Sequence, residues 1–306
     1  MAEVLRADRR EADSAGTVPA TGLWPVDKLI LGYLAAAGLL VFFGRHAIPG
    51  AGWILALHAA GAAAIGLAAR NPSAPGVYGF RHWYPLPYVA SCYKEMSLLI
   101  AALRNTNYDA QLASLDYRIW GAHPTVWLER VSRPWLTETL QWLYALFVPA
   151  VLLVAGVLWR QRRFREFRYY AFLVSIGFLA SYAGYLLVPA RGPRFLLASL
   201  QHQELTGLAT YSGVRWLLDL LESAHYDCFP SGHTELTIIA WWGSRKISRG
   251  LFWTYFVYTL SILFATVYLR YHYTVDIAAG ALLAAFLLLA TPYLYEGLGE
   301  PRIGRG

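Results

Sequence analysis

The 306-residue chain is 57% hydrophobic and 15% charged, with mean hydropathy +0.38 and a formal charge of +7. A soluble domain of this length carries roughly 25% charged residues, so the deficit points to a membrane protein. The excess positive charge gives little support to nucleic-acid binding, because the basic residues fall in short loops between apolar segments. Two cysteines, Cys92 and Cys228, exclude a disulfide framework and show no metal-type spacing.

In chain order, residues 1–27 read as a polar, mixed-charge cytoplasmic tail without a cleavable signal peptide. Residues 28–104 read as accessory membrane helices. A bilayer core needs about 20 mainly apolar residues per helix, and 28–44 and 51–69 supply them. Segment 86–103 is less clear, because Lys94 and Glu95 lie in its middle. Residues 105–135 mix apolar and charged positions at helical spacing, with Trp120 and Trp127 suited to an interface, and read as short surface-lying helices. Further spans are expected at 136–158, 169–188, 231–247, 251–269 and 274–294, within a core at 105–296 followed by a short tail at 297–306. The expected fold is therefore an all-α polytopic transmembrane bundle of about six to eight spans, with short amphipathic interfacial helices. Twelve Trp and 21 Tyr fit its interfacial belts.

The segment 160–168 carries Arg160, Arg162, Arg163, Arg165 and Arg168 against one Glu, and 244–249 adds three more cations. Two spans separate these loops, so both lie on one side, the cytoplasmic one by the positive-inside rule. An inner or plasma-type membrane follows as the expectation. The outer face then receives 189–230, the Pro-Ser-Gly-His turn and the link 270–273. If the N-terminus is also cytoplasmic, 86–103 must cross, giving eight spans; otherwise there are seven.

Three patches converge on that outer face: "VPARGPRF" (188–195), "FPSGHTE" (229–235) and "TVYLRYHYTVDIAAG" (266–280). A phosphoryl group calls for fork-shaped cationic donors, which Arg191, Arg194 and Arg270 provide. The turn at Ser231 and Gly232 opens a helix and offers backbone N–H groups. A neutral imidazole can attack phosphorus and split one hard step into two. His272 and Asp276 are four apart and share a helical face, so the carboxylate is expected to hold one ring nitrogen while the other attacks. His233 can then protonate the departing alkoxide. Ser231 is expected to support the turn and donate a hydrogen bond rather than act as nucleophile. This chemistry calls for no cofactor and no metal.

An Arg-rich loop, then "PSGH", then His-x-x-x-Asp, each at a helix boundary and in this order, resembles the type-2 phosphatidic acid phosphatase superfamily over roughly 105–290. That group holds lipid phosphate phosphatases and, more distantly, sphingomyelin synthases and inositol phosphorylceramide synthases. The resemblance implies that His233 is the acid and His272 the nucleophile. The phosphatase branch places a Lys seven residues before an Arg-Pro pair; here Gly184 and Leu187 stand at the candidate positions. It also places an Arg six residues before the last His, where this chain has Thr266, with Arg270 as the replacement. "HYTVD" is closer to the synthase branch and "PSGH" to the phosphatases, so both branches remain open.

The expected substrate is a lipid phosphate or phosphodiester, with water or an alcohol such as ceramide, diacylglycerol or a polyol as acceptor. The competing reading is a non-catalytic lipid-binding or transport protein on the same scaffold. Among the remaining ionisable residues, Asp227 and Glu235 read as interfacial and solvated. Lys94 and Glu95 read as surface-lying or packed in the bundle, and His58 as a helix–helix hydrogen bonder. His202 and His225 receive no role.

Overall fold

The computed structural model describes residues 22–72, 74–221 and 226–300; His225 and most of the N-terminal tail lie outside them. The described residues form helices and loops, with no strand among them. Helices α1 (Pro25–Phe43) and α2 (Ala51–Arg70) make a hairpin beside α4 (Pro85–Leu103), which follows the short α3 (Val77–Trp83). Next come α5 (Asp109–Trp120), α6 (Pro124–Trp127) and a 3₁₀ turn at Leu128–Val131. The core continues with α7 (Pro134–Ala145), α8 (Phe147–Arg160) and α9 (Phe164–Leu187). Two loop helices, α10 (Pro193–Leu196) and α11 (Tyr211–Leu221), precede α12 (Gly232–Ser244), α13 (Arg249–Tyr268) and α14 (Thr274–Gly297).

Among the described residues, five helices (α1, α2, α9, α13 and α14) are long and apolar enough to cross a membrane. Counting α7 and α8 as one bent span makes six, the low edge of the expected range. The higher counts add α4 and α12, which fall outside this count of length and composition. α4 carries Lys94 and Glu95 mid-helix, and α12 has 13 residues, about 20 Å of helix. α12 lies among α8, α9, α13 and α14, where neighbours rather than lipid surround it. The segment expected as one span at 136–158 is instead bent by 47° between α7 and α8. Pro149 explains the place of the break: in a continuous helix its ring would meet the carbonyl four residues earlier, that of Ala145, where α7 ends.

The two basic loops share one end of the bundle, since Arg163 Nη1 donates to the Lys246 carbonyl at 2.6 Å. The start of α1 and the end of α14 meet there too, through Lys28 Nζ and the Leu298 carbonyl at 2.7 Å. The other end gathers the three sequence patches. Cys228 N donates to Ala190 O (3.2 Å), Arg194 N to Arg270 O (3.1 Å) and Ser231 N to Asp276 O (3.1 Å). α4 runs between the two ends: Leu86 packs in the cluster containing Leu158 and Phe167, and Arg104 beyond its last turn donates to Leu187 O at 3.2 Å. Midway, Glu95 meets His58 of α2 at 2.9 Å and accepts from Tyr33 of α1 at 3.1 Å, so it ties the accessory hairpin to the core.

On α14 the exposed side chains include Leu282, Phe286 and Leu289, an apolar stripe facing out where a soluble helix would be polar. The buried face carries two small residues, Gly280 and Ala284, towards the site end. A Cβ on Gly280 would run into the Ser231 carbonyl, so the close approach of α14 to the turn before α12 depends on that glycine. Gly66 on α2 has open space where its Cβ would be. Gly280→Ala is therefore expected to lower stability by about 1–3 kcal/mol, and Gly66→Ala to be neutral or slightly stabilising. Thermal unfolding of the two variants in detergent checks the contrast.

Candidate active site

Helix α13 ends at a carbonyl that positions the third patch. Thr266 O accepts from both Tyr271 N (2.9 Å) and His272 N (3.1 Å). Arg270 reverses the chain there with φ +67°, a left-handed conformation uncommon for a residue with a side chain. The His272 ring is buried, and its Nδ1 lies 2.8 Å from the Cys228 carbonyl. Asp276 Oδ2 is farther, at 3.5 Å from the same nitrogen. The carbonyl, not the carboxylate, is thus the acceptor for Nδ1–H, which fixes the tautomer and leaves the Nε2 lone pair unengaged. Asp276, expected to hold the ring, stands within ion-pair reach of the same nitrogen.

Asp276 has other bonds. It accepts from Tyr273 N at the start of α14 (2.8 Å) and from the Cys228 thiol (2.8 Å). Burial, reinforced by the charge of Asp276, pushes the Cys228 thiol well above its ordinary value, so the proton it donates is retained. Cys228 Sγ, His272 Nδ1 and an Asp276 oxygen lie within 4.8 Å of one another and are donor types that could hold a soft cation. Their contacts in the structure are the hydrogen bonds just given.

His233, in the first turn of α12, stacks on Tyr144 with centroids 4.4 Å apart, and Phe147 flanks it at 4.4 Å. Both aromatic residues come from the α7–α8 bend. The His233 and His272 ring centroids are 5.8 Å apart. Tyr144 stacks in turn on Tyr271 at 4.3 Å, and the guanidinium groups of Arg194 and Arg215 lie over Tyr271 at 5.2 and 5.1 Å. One column of rings therefore links the second histidine to the arginines.

A small polar cleft opens at this end, lined by Tyr144, Arg191, Arg194, Asp227, Cys228, Tyr271 and His272. Arg191 is exposed and lies over Phe195, whereas Arg194 donates to Asp219 at 3.0 Å. Arg270 is not in the cleft lining. Its guanidinium donates to Glu129 (2.9 Å), Gln203 O (2.6 Å) and Gln201 (3.2 Å), which lowers its standing as a phosphate ligand. Ser231 caps α12, its hydroxyl accepting from Thr234 N at 3.3 Å, and it is fully buried. Gly232 follows it against Tyr185, whose hydroxyl would be 2.6 Å from an added Cβ.

Two further expectations are corrected. Glu235 is not interfacial: it is buried in the bundle, hydrogen-bonded by Ser181 and packed on Gly177. Asp227 is not a solvated flank either, since it lines the cleft and accepts from the Tyr93 hydroxyl of α4. Burial raises its pKa, while the Tyr93 bond and the neighbouring His272 pull the other way.

The residues that hold the patches together were not singled out in the sequence. Asp109 accepts from Arg191 N and Gly192 N, each at 2.8 Å, and from the Tyr273 hydroxyl at 3.0 Å. Asp116 caps α14, accepting from Thr274 N (2.9 Å), Thr274 Oγ1 (2.7 Å) and Val275 N (3.0 Å). They stand seven apart on α5, two helical turns along one face, and that spacing was the available signal. Tyr144 and Arg215 carried no comparable signal. Among the histidines left without a role, His202 contributes its backbone N–H to Glu129 at 3.2 Å.

The chain matches the PAP2 superfamily over residues 110–290, more than half its length and the part that contains every residue of the cleft. A PA-phosphatase related-family protein of Dictyostelium discoideum is 32% identical over 107 residues, which cover 34% of this chain and 19% of that protein. No solved structure matches.

The arginines separate by their bonds. Arg270→Ala would leave the buried Glu129 carboxylate without its cation and is expected to cost about 3 kcal/mol of stability. Arg191→Ala removes an exposed side chain and is expected to change stability by less than about 0.5 kcal/mol. Denaturant unfolding of both variants in the same detergent tests the difference.

Proposed function

The chain belongs to the PAP2 superfamily, and from that premise we propose that it is an integral-membrane enzyme that cleaves a lipid phosphate ester through a phosphohistidine on His272. The observation that carries the reading is the His272 ring in the cleft with Arg191 and Arg194, its Nδ1 tied to the Cys228 carbonyl at 2.8 Å. With the proton kept on Nδ1, the Nε2 lone pair attacks phosphorus. The P–N bond forms as the P–O bond to the lipid alcohol breaks, and the leaving oxygen takes a proton from His233. Water or an alcohol then attacks the phosphoryl group and gives its proton back to His233. The P–N bond breaks, and its electron pair returns to Nε2.

Arg191 and Arg194 hold the non-bridging oxygens, where fork-shaped donors match the developing charge. The residues around His272 supply orientation. Asp276 opposes positive charge on the imidazole from 3.5 Å and takes part in holding Cys228, whose carbonyl sets the ring. The basic loops lie at the far end of the bundle, which by the positive-inside rule supports an extracytoplasmic cleft. A phosphatidate-type monoester and a phosphodiester lipid both suit this first half-reaction, and the acceptor decides between hydrolysis and headgroup transfer.

Purified protein in detergent is given a labelled lipid phosphate and a labelled phosphodiester lipid, with and without ceramide, diacylglycerol or inositol. Turnover is expected for the wild type, with a loss of about 10³-fold or more in His272→Ala and of about 10²–10⁴-fold in His233→Ala. Wild type equal to His272→Ala on every substrate would overturn the catalytic reading in favour of a lipid-binding protein.

A further inference from the structure

Asp227 is a carboxyl group in a cleft built around arginine. It precedes Cys228, whose carbonyl holds the His272 ring, so the backbone fixes it beside the proposed nucleophile. The Tyr93 hydroxyl of α4 donates to Oδ2 and anchors the side chain from a second element. It lines the same cleft as Arg191 and Arg194, and Arg194 already shares its charge with Asp219, which also takes Arg215 at 3.2 Å. The lining thus brings two guanidinium groups and one carboxyl to the bound phosphoryl group.

That count distinguishes substrates by charge. A phosphodiester carries one negative charge, whereas a phosphomonoester carries nearly two at pH 7, because its second pKa is about 6. Two arginines offset by one carboxylate balance a single negative charge, and a second one faces Asp227 unbalanced. At a separation of about 6–12 Å and an effective dielectric near 20, one extra like-charge contact changes affinity roughly ten- to hundredfold.

We propose that Asp227 makes the cleft selective for singly charged phosphodiester lipids over doubly charged phosphomonoesters. This rests on the reading of the cleft as a phosphoryl site at His272. Asp227 acts here as a specificity determinant and takes no part in the bond changes.

Two lipids with the same leaving alcohol isolate the charge: dioctanoyl phosphatidic acid as monoester and dioctanoyl phosphatidylglycerol as diester. Release of dioctanoylglycerol is measured with each for wild type, Asp227→Asn, Tyr93→Phe and His272→Ala, and kcat/KM is compared. The wild type is expected to favour the diester. Asp227→Asn, nearly isosteric, is expected to raise the monoester-to-diester ratio ten- to hundredfold. Tyr93→Phe keeps the charge and is expected to leave the ratio within threefold. A wild type that favours the monoester, an Asp227→Asn ratio within threefold of wild type, or an equal shift in Tyr93→Phe would overturn the proposal. Failure of the underlying reading is seen separately: His272→Ala would then release dioctanoylglycerol as fast as wild type, and the Asp227→Asn ratio would still judge the charge rule.

Discussion

Buried carboxylates that accept backbone N–H bonds hold the site end of this protein together. Three loops meet there at helix ends, where N–H groups have no partner within their own helix. Away from water, each unpaired donor costs about 1–3 kcal/mol. Asp109 takes two from the Arg191–Gly192 loop, Asp116 two from the start of α14, and Asp276 one from Tyr273. A charged acceptor serves this purpose better than a neutral one, because its hydrogen bonds are roughly twice as strong. The loops bearing Arg191, Cys228 and His272 therefore have one geometry rather than several.

The proposed chemistry depends on that geometry through Cys228. Its N–H is bonded to the first patch, its thiol to Asp276 and its carbonyl to His272. A single residue thus relates all three patches, and the His272 ring is set by a main-chain group with no side-chain freedom to lose. On the other side of the cleft, the bend at Pro149 turns Tyr144 and Phe147 onto His233. The ring column from His233 through Tyr144 and Tyr271 to Arg194 keeps the second histidine and the cations at a fixed spacing. Reorganisation during reaction is small in such a site, which is where fixed dipoles and charges lower barriers most.

Much of this was legible in the sequence. Long apolar runs gave α1, α2, α9, α13 and α14, because periodicity matters little when a helix faces lipid. The order of the Arg loop, Pro-Ser-Gly-His and His-x-x-x-Asp, with the parity of the basic loops, put three distant patches at one end. Less legible were contacts that depend on the third dimension. Asp109 and Asp116 sit in a segment whose Trp residues and mixed charge resemble a surface helix, and only their seven-residue spacing marks a common face. Arg270 looked like a ligand by its nearness to His272. Its left-handed backbone instead accompanies a side chain bonded to Glu129, 141 positions away in sequence. Glu235 follows His233 by two residues and so points away from the cleft into the helix bundle, which a reading by proximity alone misses. α12 was counted as a span by composition, but burial among other helices lets it be short.

The most direct test of the account is to identify the atom that carries the phosphoryl group. Enzyme mixed with a lipid labelled in its phosphate is quenched in alkali within a single turnover, where phosphohistidine survives and phosphoserine and phosphothreonine esters are recognisable by their acid stability. Peptide mapping is then used to place the label. The account predicts an acid-labile phosphoryl group on the peptide containing His272, absent from His272→Ala. Label on Ser231, Cys228 or His233, or turnover without any labelled protein, would contradict it.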